Sequence, residues 1–398
     1  MFLAETEEQQ ALRTELRAYF DRILTPAIRE ELGQPGEGSP AYVDVVRQMG
    51  KDGWLGIGWP EEWGGQGRST IDQFIFFFEV SRAGAPFPFV TLNTVGPTLM
   101  AFGTEEQKKK FLPGILAGEI HFAIGYTEPE SGTDLASLRT RAVLDGEEWV
   151  INGNKVFTSG ANQADYIWLA CRTDPDAPKH KGISMIIVPT ETTGFKWTPI
   201  VTVGSNTTTA TYYDDVRVPK ENLVGDVNAG WRLITNQLNH ERVGLAANTA
   251  IAFRLWDEVV DWSRETGAGD NGTRLKMIDV PWVQADLART HAQLEAMKLL
   301  NWRMAAAVGE GTLSPDQSSA VKVYGTETAV AVYRALLGIL GAAGYLAGDS
   351  PGALLRGEVE KAGRGAQINT FGGGVNEVQR EIVAAAGLGM ARTARTAK

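Results

Sequence analysis

The chain has 398 residues, 43% of them hydrophobic and 22% charged, enough to build one large core or two to three ordinary ones. A formal net charge of −10 argues against a general binder of nucleic-acid backbones, whose affinity rests on Lys and Arg neutralising phosphates. The single cysteine, Cys171, allows no intramolecular disulfide or thiolate cluster, and the acidic Met1–Gln10 segment lacks the pattern of a secretion signal, so a reducing cytoplasm is the expected setting.

In chain order, Thr6 to Leu32 carries Leu12, Leu16, Phe20, Ile23 and Leu24 at helical spacing among charges, which predicts one amphipathic helix. Further helices are expected through Tyr42 to Met49 and Thr70 to Arg82, with Trp54 to Gly67 between them as a structured loop rich in aromatics and glycine. The texture changes near His121. Trp149-Val150-Ile151, Tyr166 to Ala170, Ile183 to Val188 and Thr209 to Tyr213 are short β-branched or aromatic runs separated by turn residues, the pattern of a small β-barrel or sandwich. After Asn228-Ala229-Gly230 helical spacing returns in Trp231 to Ser263, Pro281 to Gly309, Ser314 to Leu340 and Glu377 to Ala385. The polar stretch Thr266 to Asp279 reads as an exposed excursion between helices. The expected class is α+β in three parts: an N-terminal helical domain over 1–120, a β domain over 121–229 and a C-terminal helical bundle over 230–398.

This order of elements decides how the glycines and histidines read. It lacks the alternating βα units of a doubly wound sheet. Gly338, Gly341 and Gly344 therefore form no dinucleotide fingerprint, and close helix packing is their expected use. His240-Glu241 lacks the second histidine of a zinc-protease helix, and His121, His180 and His291 are scattered, so no metal site is expected. Cys171 follows the apolar run Ile167 to Ala170 and is expected to fill core. No stretch approaches the roughly 20 consecutive apolar residues of a membrane-spanning helix.

The more specific signal is Tyr126-Thr127-Glu128-Pro129-Glu130-Ser131-Gly132-Thr133-Asp134, followed by Ile151-Asn152-Gly153-Asn154-Lys155-Val156-Phe157-Thr158-Ser159-Gly160. Each alone is a polar turn between strands; together they offer amides, hydroxyls and an aromatic ring suited to a heteroaromatic edge and face. With Pro60 to Gly67, Val216-Arg217-Val218-Pro219, Asn222-Leu223-Val224-Gly225 and Asn376-Glu377-Val378-Gln379-Arg380, they form six ordered landmarks. In these the chain resembles the acyl-CoA dehydrogenase family along essentially its whole length. The resemblance implies noncovalent FAD, with Tyr126, Thr127, Phe157 and Ser159 at the flavin ring and Gly132 and Thr133 on the pyrophosphate side.

The family carries its catalytic glutamate at one of two positions. In many members it precedes the segment matching Asn376 to Arg380, but here that loop is Phe371-Gly372-Gly373-Gly374-Val375 and the matching residue is Gly373. In isovaleryl-type and some long-chain members it stands on a C-terminal-domain helix just before an arginine, which points to Glu241 as the base and to Arg242 beside the substrate. A thioester α-proton is weakly acidic, so the carbonyl must be polarised while a desolvated carboxylate removes the proton and the β-hydrogen leaves as hydride to the flavin. The resemblance assigns one carbonyl donor to the backbone N–H of Gly373, which needs no side chain.

Where self-sufficient members clamp the FAD of a neighbouring subunit, this chain departs from the pattern. Arg264 matches the clamp arginine, but Gly267 and Gly338 replace the phenylalanine and glutamine, and Val375 and Glu377 replace a threonine and glutamine. The base-bearing subunit of actinobacterial dehydrogenases acting on steroid side-chain CoA thioesters has this division of labour. The resemblance therefore implies an α2β2 heterotetramer with a second chain of the family, with a homotetramer as the alternative, and electron-transferring flavoprotein as acceptor. A bulky or α-branched acyl-CoA is the expected substrate. The alternatives are a branched or medium fatty acyl-CoA and a non-catalytic flavin- and CoA-binding subunit.

Overall fold

The computed structural model describes residues 4–33, 39–204, 207–237, 250–268 and 275–391. In the N-terminal part, helices begin where hydroxyl residues cap them. Thr6, Ser69 and Thr104 open α1 (Glu7–Ile23), α4 (Thr70–Ala83) and α6 (Glu105–Leu116), each in a reciprocal capping box with Gln9, Asp72 or Gln107. Between them lie α2 (Pro26–Gly33), α3 (Pro40–Lys51) and α5 (Gly96–Phe102). The single helix expected over Thr6 to Leu32 is two: the chain leaves helical geometry at Leu24 (ψ 70), and Pro26, with no N–H to continue the ladder, starts a new helix. Arg13 and Arg17 both pair with the buried Glu79 carboxylate, tying α1 to α4. The Trp54–Gly67 stretch winds through two short 3-10 turns, Trp54–Gly56 and Glu61–Trp63. A Cβ at Gly65 would lie 2.1 Å from the Trp59 carbonyl oxygen, so the tight return of this loop requires glycine there.

Among the described residues, the middle part is a mixed sheet of eight strands: β1 (Phe122–Gly125), β2 (Arg141–Asp145), β3 (Glu148–Lys155), β4 (Tyr166–Arg172), β5 (Ile183–Pro189), β6 (Phe195–Val201), β7 (Thr207–Pro219) and β8 (Leu223–Val224). They run in the order β6-β7-β3-β2-β4-β5-β8, and β1 pairs in parallel with β4. Strands β4 and β5 form the wall between two cores. Ile167, Leu169, Cys171, Ile186 and Val188 face the interior of the sheet with Trp149, Ile151 and Val216, whereas Trp168, Ala170, Met185 and Ile187 pack into the helical core. Burial on both faces is why these two runs are apolar without alternation. Burial pushes the Cys171 thiol up to about 12, which makes it core filling and no nucleophile at neutral pH.

Residues 231–237 are helical, and the C-terminal part continues with α7 (Ala250–Glu265), α8 (Pro281–Gly309), α9 (Pro315–Leu340), α10 (Glu358–Gly365) and α11 (Asn376–Ile382). Pro281 and Pro315 stand at the first helical turn, where a missing N–H costs nothing. Pro315–Tyr345 is long and apolar enough to cross a membrane by length and composition, but it is built into the bundle, with Val332, Leu336, Ile339 and Leu340 buried in the shared helical core. Of the three glycines expected to serve close packing, Gly344 is buried with a Cβ position 2.5 Å from Leu340 Cβ, but Gly338 and Gly341 are open. Added Cβ atoms at Gly338 and Gly341 would meet nothing within 4 Å, and Gly341, at φ +66, closes α9 instead. Gly338 faces outward, between the buried Leu337 and Ile339.

Candidate functional site

The turn that follows β1 is made by Glu128 and Ser131, whose backbones exchange hydrogen bonds at 3.0 and 3.1 Å. Beneath it the Glu128 carboxylate accepts from the N–H groups of Arg139 and Thr140, both at 2.7 Å, and from Lys155 Nζ at 2.8 Å. Lys155, 0% exposed, also donates to Tyr126 O at 3.0 Å. One buried ion pair thus joins the Tyr126–Ser131 turn, the entry to β2 and the end of β3. Burial pushes the Glu128 carboxyl up, but the Lys155 ammonium and the hydrogen bonds outweigh it and hold the group below its ordinary value. Burial also pulls the Lys155 ammonium below the usual lysine value, against the pull of Glu128.

This brace sets two turns side by side. Val156 N donates to Thr127 O at 2.8 Å, so Tyr126 and Thr127 adjoin the Phe157–Ser159 segment. Phe157 holds φ +59, an uncommon conformation for a bulky residue, and is 61% exposed. Thr158 behind it is locked to Thr209 by two hydrogen bonds, N to O at 2.9 Å and Thr209 Oγ1 to Thr158 O at 2.6 Å. Ser159 Oγ shares a 2.8 Å hydrogen bond with Thr208 Oγ1. Gly132 and Thr133 are exposed, and a Cβ at Gly132 would come within 3.8 Å of Thr127 Cγ2. An exposed ring held at positive φ, hydroxyls and turn amides on one rigid surface fit a flat heteroaromatic cofactor such as a flavin.

From this surface Tyr126 reaches into the helical core. Its hydroxyl donates to Gln237 Oε1 at 2.5 Å and accepts from Trp168 Nε1 at 3.2 Å, linking β1, β4 and the helical residues 231–237. Glu241 and Arg242, four and five residues further on, lie outside the described residues, so the structure is silent on their placement.

Gly373 belongs to a separate loop, carried by the bundle and sharing no hydrogen bond with the two β turns among the described residues. Gly373 and Gly374 have φ +66 and +98, conformations that favour glycine. Phe371 N and Gly372 N both donate to Ile368 O, at 3.2 and 2.7 Å, and the exposed Gly373 N–H has no intramolecular acceptor among the described residues. Of the positions that the resemblance matches to a cross-subunit clamp, Arg264 is exposed and paired with Asp261 at 3.0 Å, Gly267 pairs with Lys276 across an isolated bridge, and Gly338 opens outward.

Sequence reading missed four residues: Lys155, Glu128 and Gln237 of this arrangement, and Lys322 on α9, which donates to Thr370 O and Gly374 O at the two ends of the glycine loop. The first two stand within the quoted turns, where an acidic and a basic residue flanked by β-branched positions were a readable signal. Gln237 and Lys322 had no local signal.

The acyl-CoA dehydrogenase N-terminal, middle and C-terminal domain families match residues 6–119, 123–216 and 228–388. Acyl-CoA dehydrogenase FadE26 of Mycobacterium tuberculosis is 53% identical over 406 residues, covering 99% of this chain and 100% of its own length. The solved Tcur3481-Tcur3483 steroid ACAD contains a chain 60% identical, with a TM-score of 0.93 over 99% of this chain and 100% of that one. The ChsE4-ChsE5 complex from Mycobacterium tuberculosis contains one 52% identical, with a TM-score of 0.92 over the same shares.

Proposed function

Because the chain belongs to the acyl-CoA dehydrogenase family, whose members are FAD-dependent flavoproteins, and is thus an oxidoreductase acting on acyl-CoA, we propose that it forms the α,β-double bond of a bulky or α-branched, steroid side-chain CoA thioester. The observation that carries the cofactor half of this reading is the Lys155–Glu128 brace, which fuses Tyr126, Thr127, Phe157 and Ser159 into one preformed surface. FAD, when bound there, supplies the acceptor for the β-hydrogen and its electron pair. The chain supplies the rest. Glu241 takes the α-proton, Arg242 lies beside the thioester, and the Gly373 N–H bonds the carbonyl oxygen as it gains negative charge. Gly132 and Thr133 receive the pyrophosphate side.

The chain works in the cytoplasm as the base-bearing half of an α2β2 heterotetramer, and passes electrons to electron-transferring flavoprotein. Two observations support the heteromer: two of the similar solved structures are two-protein complexes, and the clamp positions Gly267 and Gly338 carry no side chain to offer a neighbour's cofactor. A smooth steroid or branched side chain also suits a loop in which Gly372-Gly373-Gly374 replaces bulkier residues.

The test is an anaerobic absorbance titration of flavin with a panel of CoA esters, on the chain alone and with a co-expressed family partner. Bleaching by steroid side-chain esters in the mixed complex supports the reading. Full bleaching by the lone chain discards the heteromer, and preference for straight medium-length esters discards the substrate class. Glu241→Gln is expected to keep its flavin and lose dehydrogenation by about 10²–10⁴-fold, the usual contribution of a positioned base. Unchanged turnover removes Glu241 from the chemistry and puts a non-catalytic subunit first.

A further inference from the structure

The Phe371–Gly374 loop has two feet, and one side chain holds both. Lys322 Nζ, on α9, donates to Thr370 O at 3.3 Å just before the loop and to Gly374 O at 2.6 Å at its end. Its third bond goes to Asn376 Oδ1 at 2.7 Å, so the three N–H groups of the ammonium meet three oxygens. Asn376, itself buried, is turned by donation from its Nδ2 to Thr326 Oγ1 at 3.0 Å and Glu327 Oε1 at 3.1 Å, and Glu327 pairs with Arg380 at 2.8 Å. The ammonium is therefore seated in a built network, half-buried, and is pulled down to about 8 by that burial. A lysine that merely capped the 366–370 turn would bond the carbonyls of that turn. Two of the three acceptors of Lys322 lie at or beyond the last glycine instead.

Pinning Thr370 O and Gly374 O inward constrains the peptide groups between them. Phe371 N and Gly372 N are already returned to Ile368 O, which leaves the Gly373 and Gly374 N–H groups as the donors the loop presents among the described residues, with Gly373 at its middle. Glycine at φ +66 and +98 has no side chain to stiffen the backbone, so the loop's shape depends on this outside anchor. Building on the reading that Gly373 bonds the thioester carbonyl, we propose that Lys322 is a positioning residue for the dehydrogenation: by clamping both ends of the glycine loop it aims the Gly373 N–H at the carbonyl oxygen.

The test uses the FAD-loaded complex with a co-expressed family partner, this chain carrying Lys322→Met or Lys322→Arg, with two readouts. The first is amide hydrogen exchange of residues 366–376; the second is the anaerobic rate of flavin bleaching by an acyl-CoA, resolved into kcat and KM. Lys322→Met is expected to speed exchange at residues 371–376 by roughly 10-fold or more while leaving the β-domain turns unchanged. It is expected to lower kcat by about 10-fold or more with KM within about 3-fold, because a donor that strengthens as the oxygen gains charge acts on the transition state. Lys322→Arg, which keeps the charge, recovers most of the rate. If Lys322→Met fails to hold FAD, Lys322→Gln repeats the comparison with one donor group kept. Unchanged exchange in the variants overturns the clamp, and faster exchange with unchanged kcat overturns the positioning role. If the FAD-loaded wild-type complex is bleached by no acyl-CoA while exchange still responds to Lys322→Met, the dehydrogenase reading itself has failed and the lysine is a loop anchor without a catalytic consequence.

Discussion

The turn from Tyr126 to Ser131 and the loop from Phe371 to Gly374 both reach the surface, yet they are held in opposite ways. The first is fastened by a fully buried ion pair, two backbone amides onto one carboxylate, and direct strand pairing. The second is free of strand pairing, is built on positive-φ glycine and is anchored from outside by a single half-buried lysine. A surface for a rigid, permanent cofactor gains from being fixed before binding. A loop that meets one acyl group after another gains from an anchor that fixes its ends and leaves its middle free. On the proposed reading, the site is assembled from a stiff wall and a tethered arch.

The largest way to break this contrast is Lys155→Met, which leaves Glu128 as an uncompensated buried carboxylate. It is expected to cost about 3–5 kcal/mol and to empty the flavin surface, read by thermal unfolding and by absorbance of the purified protein near the flavin maximum. An unchanged melting temperature would mean that the wall is not held by the pair. The same pair sets an acid limit. The folded Glu128 pKa lies below the ordinary carboxyl value of 4.5, so its contribution is fully present above that value and is lost as pH falls through the lowered one. Flavin retention followed from pH 7 downward should hold through the mildly acidic range and then drop; a drop already near neutrality would place the brace elsewhere.

A smaller effect is expected from the arch. Gly374→Ala forces a side chain to φ +98, with its Cβ 2.6 Å from the flexible tip of Gln379, at a cost of about 1–3 kcal/mol in chemical denaturation. Its effect on turnover should exceed its effect on flavin content, the reverse of Lys155→Met. The smallest effect is at Gly338, where the added methyl of Gly338→Ala meets open space and should stabilise the isolated chain by about 0.5–1 kcal/mol through helix propensity. If the same change weakens co-purification with a family partner, this open face of α9 is where that partner lies.

Much of the architecture was readable one element at a time. The capping boxes at Thr6, Ser69 and Thr104, and the prolines at 281 and 315, mark helix starts by chemistry that acts within three residues. The one helix read as continuous across Pro26 failed because apolar spacing persists through a break that proline imposes. Gly338 and Gly341 misled for a related reason: a glycine in a helical pattern looks alike whether it faces a neighbour or empty space.

By itself the sequence determined the order helix, sheet, helix, the two β turns, and the family, since those depend on local hydrogen-bonding chemistry and on motifs contiguous in the chain. Only the tertiary structure decided that Lys155 would meet Glu128 from 27 residues away, that β4 and β5 would face two cores at once, and that Lys322 would close on Gly374 from 52 residues away. Each of these is a meeting of groups from different elements. Their partners are chosen by how whole helices and strands bury their apolar faces, and a polar residue's own neighbours in the chain carry no record of which distant oxygen that packing will bring to it.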